Sequence, residues 1–202
     1  MKVVIFDDMA QCTDDEVARM LPLVSEQRRE QALKFKFTFG KFACLKSYLM
    51  LKEVVNTTPI FEYNEFGKPL IVGHPEIHFS ISHCKHGIAV AVSDQPVGID
   101  IECFHSADEG LLMKTMNEEE RQIIASSANP SEAFTSYWTS KETVLKLRGT
   151  GITDDLYPTL NGTEHIETHI NTERQYVWSV AYIPEDGASP VSTKQKHYQD
   201  KL

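Results

Sequence analysis

The chain has 202 residues, 41% of them hydrophobic, and a formal net charge of −9. That length supports one large domain or two lobes of about 100 residues each. The acidic balance argues against general nucleic-acid binding, and no stretch approaches the ~18 consecutive apolar residues of a membrane helix. The apolar run from Val3 to Phe6 is too short for a signal peptide, and Asp7 and Asp8 end it. Cys12, Cys44, Cys84 and Cys103 lie far apart with no Cys-x-x-Cys pair, the pattern of reduced thiols. These features predict a cytoplasmic protein that binds neither membrane nor nucleic acid.

Val3 to Phe6 reads as a first strand. Thr13-Asp14-Asp15-Glu16 has the form of a capping box opening a short helix that Pro22 ends. Ser25 caps a second helix, and a longer one runs from about Thr38 to Val55, with Phe42, Leu45, Leu49 and Lys52 at helical spacing. The Phe35, Phe37, Phe39 series before it is expected to pack in the core. Arg28 to Lys52 carries seven basic residues against the single acid Glu30, a local excess that suits either an anionic ligand or a solvated helix face.

The pattern then turns to strands. Phe61 to Tyr63 and Lys68 to Ile71 flank an Asn64-Glu65-Phe66-Gly67 turn. Ile77 to Ser82, Ile88 to Val92 and Val97 to Glu102 follow as an expected antiparallel meander. After Cys103, Asn117 and Asn129 cap helices, the second starting at Pro130 and stopping at Gly149. Thr163 to Ile170 and Gln175 to Ile183 read as strands, and Pro190 to Leu202 as a loose polar tail. The fold class expected is α+β, with residues 1–103 as an N-terminal lobe and 104–189 as a similar C-terminal one.

Chemistry concentrates in two places. Alternation along Val97-Gly98-Ile99-Asp100-Ile101-Glu102 puts Asp100 and Glu102 on one face of a strand. Two carboxylates that close repel unless a cation intervenes, and Mg²⁺ needs only one or two of them plus water or phosphate oxygens. An acidic edge strand facing solvent is the alternative. On the Pro130 helix, Glu142 and Lys146 stand four apart, beside a stripe of Phe134, Tyr137, Trp138, Lys141 and Leu145; they form either a surface ion pair or a third acid with a phosphate contact. His74, His78, His83, Cys84 and His86 offer a competing zinc set, although the strand alternation sends His78 and His83 to opposite sides.

Taken together, Phe79-Ser80-Ile81-Ser82-His83, Val97-Gly98-Ile99-Asp100-Ile101-Glu102, Trp138-Thr139-Ser140-Lys141-Glu142-Thr143-Val144-Leu145-Lys146 and Gly149-Thr150-Gly151 resemble the successive signatures of 4′-phosphopantetheinyl transferases. Gly67-Lys68-Pro69 matches the two-lobed, surfactin-synthetase-activating type, and the resemblance spans about Phe66 to Ile152. It implies a pseudo-twofold α+β fold and Mg²⁺-dependent transfer of phosphopantetheine from coenzyme A to a serine of an acyl or peptidyl carrier protein. By the same resemblance Asp100, Glu102 and Glu142 are magnesium ligands, and Asp100, Glu142 and Lys146 are the catalytic group, with Glu142 the base. Asp100, Lys146, Lys68, Ser82 and His83 contact the coenzyme; the basic excess of Arg28 to Lys52, with Lys34 and Lys41 the residues chosen from it, is expected to serve the remaining 3′-phosphate. A monomer is expected. A non-catalytic homologue that holds coenzyme A or a carrier is the alternative function.

Overall fold

The computed structural model describes residues 1–151, 156, 159–160, 162–184 and 195–197. Its strands are β1 Lys2–Phe6, β2 Phe61–Tyr63, β3 Pro69–Ile71, β4 His78–Cys84, β5 Gly87–Ser93, β6 Val97–Cys103, β7 His165–Asn171, β8 Tyr176–Tyr182 and β9 Gln195–His197. Its α-helices are α1 Asp14–Met20, α2 Glu26–Leu33, α3 Thr38–Val55, α4 Glu109–Thr115, α5 Glu118–Ser126 and α6 Pro130–Arg148. This is the mixed α+β class expected.

The two main sheets have strand orders β4-β5-β1-β9 and β6-β8-β7, and β2 pairs with β3 as a separate hairpin. Between the sheets Val3, Ile5, Ala89 and Ala91 meet Val97, Ile99, Ile101, Trp178 and Val180 in one apolar core. The opposite face of the first sheet, through Val4, Phe6, Ile88 and Val90, packs on α1 and α3. On the far face of the second, Ala181 packs against Val144 and Leu147 of α6. The order of layers is helices, sheet, sheet, helix. Strands covered on both faces read as continuous apolar runs, as Val3–Phe6 and Ile88–Val92 do.

The expected meander is interrupted. β5 already has β4 on one edge and β1, antiparallel from Lys2↔Val92 to Phe6↔Ile88, on the other. No edge of β5 is left for β6, which pairs with β8 instead, Asp100 opposite Ser179. The strand that closes the 1–103 segment is therefore hydrogen-bonded into the sheet built from later residues. β6 still runs beside β4, and the Ile99 amide donates to Ser80 Oγ across the gap at 3.1 Å. That bond satisfies a backbone donor on an edge with no ladder partner.

Three other expectations change. Phe35 and Phe37 are 40% and 72% exposed, so only Phe39 of the series packs against the core. The Thr13 box is half formed: Thr13 Oγ1 accepts from the Glu16 amide, but the Glu16 carboxylate turns to Arg19 at 2.8 Å. The tail contributes β9, which lies parallel to the open edge of β1, and the remainder of 190–202 lies outside the described residues. All four cysteines are free thiols.

Candidate active site

Three elements converge at the cleft between the sheets' edges. Along β6, Val97, Ile99 and Ile101 are fully buried in the inter-sheet core, which turns Gly98, Asp100 and Glu102 toward α6. Gly98 permits the close approach. A Cβ there would stand 2.0 Å from the Thr143 carbonyl oxygen and 2.7 Å from the Leu147 nitrogen, both backbone atoms of α6. The helix is also tied to β8, where Thr143 Oγ1 donates to the Ser179 carbonyl at 3.0 Å. Asn129 and Pro130 start α6, and Gly149, at φ 69°, ends it in the left-handed conformation that glycine adopts freely.

Lys146 consequently reaches β6. Its Nζ donates to Asp100 Oδ1 at 2.5 Å and to Ser82 Oγ at 2.9 Å, and Ser82 Oγ donates to the same Asp100 oxygen at 2.7 Å. Asp100 Oδ2 and Glu142 Oε1 are buried and have no hydrogen-bond partner among the described residues. Burial first, and the nearby Asp100 charge second, push the Glu102 carboxyl up to about 7 and raise that of Glu142. Lys146 pulls both the other way without cancelling the shift. The cluster is thus short of positive charge.

Asp100, Glu102, Glu142, Lys146, Ser82 and His83 line a cavity of about 530 Å³, together with Arg28, Phe35, Tyr63 and Trp138. A second, more apolar cavity of about 310 Å³ lies between the Phe66–Pro69 turn and α6. Ile81, Glu142 and Lys146 line both, so the two adjoin along one face of the helix. His83 sits edge-on to Phe39 at 5.7 Å. The surrounding protein, with Lys146 and Arg28, holds its pKa below the usual histidine value.

Among the described residues no group of three or more His, Cys, Asp and Glu side chains stands assembled to hold a metal ion. That includes the zinc set at residues 74–86, where His74 pairs with Glu76 instead. The two unclaimed carboxylate oxygens are hard donors of the kind Mg²⁺ takes, and Mg²⁺ fills its remaining positions with water and phosphate oxygens.

The family model described as the 4′-phosphopantetheinyl transferase superfamily matches residues 96–197. The chain is 32% identical to the 4′-phosphopantetheinyl transferase psf-1 of Bacillus pumilus, over 73% of this chain and 70% of that protein. It belongs to the 4′-phosphopantetheinyl transferase superfamily. It is similar also to the transferase gsp of Aneurinibacillus migulanus, 32% identical over 58% of this chain and 50% of that one. Against Sfp of Bacillus subtilis (strain 168) it is 24% identical over 69% and 66%. The chain thus spans from half to somewhat over two thirds of these relatives' lengths.

The transferase chain places its expected site residues unequally. Asp100, Glu102, Glu142, Lys146, Ser82 and His83 share the larger cavity. Lys68 lines the smaller one, but its ammonium is engaged by the last turn of α6, donating to the Lys146 carbonyl at 2.7 Å and the Leu147 carbonyl at 3.1 Å. Burial lowers its pKa. Lys34 and Lys41 are on neither cavity's wall; the member of the Arg28–Lys52 basic run that is there is Arg28, whose guanidinium donates to Cys44 O at 2.8 Å and Ser47 Oγ at 3.2 Å. Asn64 was also missed: its Nδ2 donates to the Gly149 carbonyl at 3.1 Å and pins the β2–β3 turn to α6. The basic run pointed to the region of Arg28, whereas nothing local marked Asn64.

Proposed function

We propose that this protein transfers the 4′-phosphopantetheine group of coenzyme A to a serine hydroxyl of an acyl or peptidyl carrier protein, with Mg²⁺ as cofactor. The product released is adenosine 3′,5′-bisphosphate. The observation that carries the reading is the pair of unclaimed buried oxygens, Asp100 Oδ2 and Glu142 Oε1, in one cavity with the Lys146 ammonium. Hard acids beside a fixed cation suit a diphosphate gripped through a divalent ion.

In this reading Asp100, Glu102 and Glu142 hold the ion, which when bound neutralises charge on the pyrophosphate. Lys146 adds a fixed positive group at the same oxygens. Ser82, His83 and Lys68 orient the nucleotide phosphates, and Lys34, Lys41 or Arg28 serves the 3′-phosphate. The serine oxygen bonds to the phosphorus that carries pantetheine, and the bond from that phosphorus to the bridging oxygen breaks. Glu142, whose raised carboxyl pKa moves it toward the working range of a general base, accepts the serine proton.

The proposed organisation is a monomer of two lobes, residues 1–103 and 104–189, with β6 of the first paired into the sheet of the second and the 190–202 tail supplying β9 to the first, acting in the cytoplasm on a carrier of fatty-acid, polyketide or nonribosomal peptide synthesis. The test is incubation of the pure chain with coenzyme A, Mg²⁺ and a panel of apo carrier proteins, read by intact mass. A mass gain of one phosphopantetheine on a carrier serine is expected. Retained coenzyme A binding with no gain on any carrier would favour a non-catalytic binding homologue.

A further inference from the structure

We propose that Lys141 and Glu120 form a brace that aims the reactive face of α6, a reading that rests on the transferase assignment above. Lys141 is fully buried and does not line either cavity. Its Nζ donates to Glu120 Oε2 at 2.7 Å and to the Thr115 carbonyl at 2.6 Å. Glu120 is only 5% exposed, and its Oε2 also accepts from the Asn117 amide at 2.8 Å, closing the capping box of α5. The carboxylate that receives Lys141 is therefore itself fixed by the start of another helix.

Consecutive residues point about 100° apart around an α-helix. Anchoring Lys141 to α5 and to the end of α4 thus sets the direction of Glu142, and of Lys146 one turn on. Gly98, Thr143 and Ser140 hold α6 against the sheet, where Ser140 Oγ lies 3.0 Å from Thr168 Oγ1. These contacts resist lifting of the helix more than rolling, and the Lys141 tether on the other side opposes the roll. Stability is a poor reason for such a pair. Desolvating two charges costs about as much as their attraction returns, and well-packed neutral replacements often do as well. What an ion pair adds over an apolar contact is a direction. Glu120 and Lys141 are positioning residues, since neither lines the cavity.

The decisive protein is the double variant Lys141→Met with Glu120→Gln, in which the glutamine still closes the capping box. It is expected to melt within a few degrees of the parent, to lose about tenfold or more in kcat with KM for coenzyme A changed less than about threefold, and to exchange the α6 amides around Glu142 faster. Lys141→Arg, which keeps donors for Glu120 and Thr115, is expected to recover most of kcat. A folded double variant with parental kcat and parental exchange overturns the brace. If the double variant does not fold, the milder Glu120→Gln alone decides: unchanged kcat and unchanged exchange overturn it equally. If the parent transfers nothing to any carrier, the transferase assignment is what has failed, and amide exchange in α6 still judges the brace.

Discussion

Lys146 Nζ stands 2.5 Å from Asp100 Oδ1, yet the two side chains are unequally sheltered, 31% and 2% exposed. Removing either partner should therefore have different costs. Lys146→Met leaves a buried carboxylate with Ser82 as its remaining donor, a loss of about 1–3 kcal/mol. Asp100→Asn leaves an ammonium that can turn to water and an amide oxygen that still accepts, so a loss under about 1 kcal/mol is expected. Urea unfolding of the two variants measures the difference. Equal losses would mean that the pair is not the asymmetric contact described. Both variants should lose transfer in the carrier assay.

Glu142→Gln separates stability from activity. The glutamate carries a buried oxygen with no partner among the described residues and a carboxyl pKa raised by burial, so its charged form weighs against the fold at pH 8. The variant should melt at least as high as the parent there while losing about 100-fold or more in turnover. Near-parental turnover would remove Glu142 from the reaction.

A pH dependence follows from Glu102, whose folded carboxyl is pushed up to about 7 from 4.5. Between those values the folded chain binds more protons than the unfolded one, so this group's contribution to stability falls as pH rises from about 4.5 to about 7 and then levels. Magnesium favours the ionised form. Added Mg²⁺ should raise the melting temperature more at pH 8 than at pH 5.5, and its binding near pH 6.5 should release protons, measurable by titration in buffers of different ionisation enthalpy. Glu102→Gln should flatten both effects. Persistence of both in that variant would assign them to another group.

Gly98→Ala tests the approach of β6 to α6. The added methyl meets backbone at 2.0 and 2.7 Å, where no flexible side chain can yield. The loss expected is about 2 kcal/mol or more in thermal or urea unfolding. Transfer should fall as well, because the helix moves off Asp100 and carries Glu142 and Lys146 with it. A variant of parental stability would show that the helix has slack at this contact.

Much of the local structure was legible from spacing. The long helix was expected from Thr38 to Val55 and is found there. Asn129, Pro130 and Gly149 bracketed α6 correctly. Expectations failed where the outcome depended on a competitor. β6 left the meander because a strand from the chain's first residues occupies the edge beside β5. Phe35 and Phe37 share apolar character with Phe39 but turn outward, where Phe35 joins the cavity wall. Lys141 fell on the apolar stripe of α6, which marked it for burial, but its partner is a glutamate capping a different helix.

By itself the sequence determined that Asp100 and Glu102 share a strand face and that Glu142 and Lys146 lie one helical turn apart. Those relations follow from backbone repeat alone and hold wherever the segments go. Only the tertiary structure decided that Lys146 meets Asp100, that Arg28 and not Lys34 or Lys41 reaches the cavity wall, and that two carboxylate oxygens are left buried without partners among the described residues. Such pairings join residues tens of positions apart, and which pair forms depends on the edges and faces that other segments have already covered.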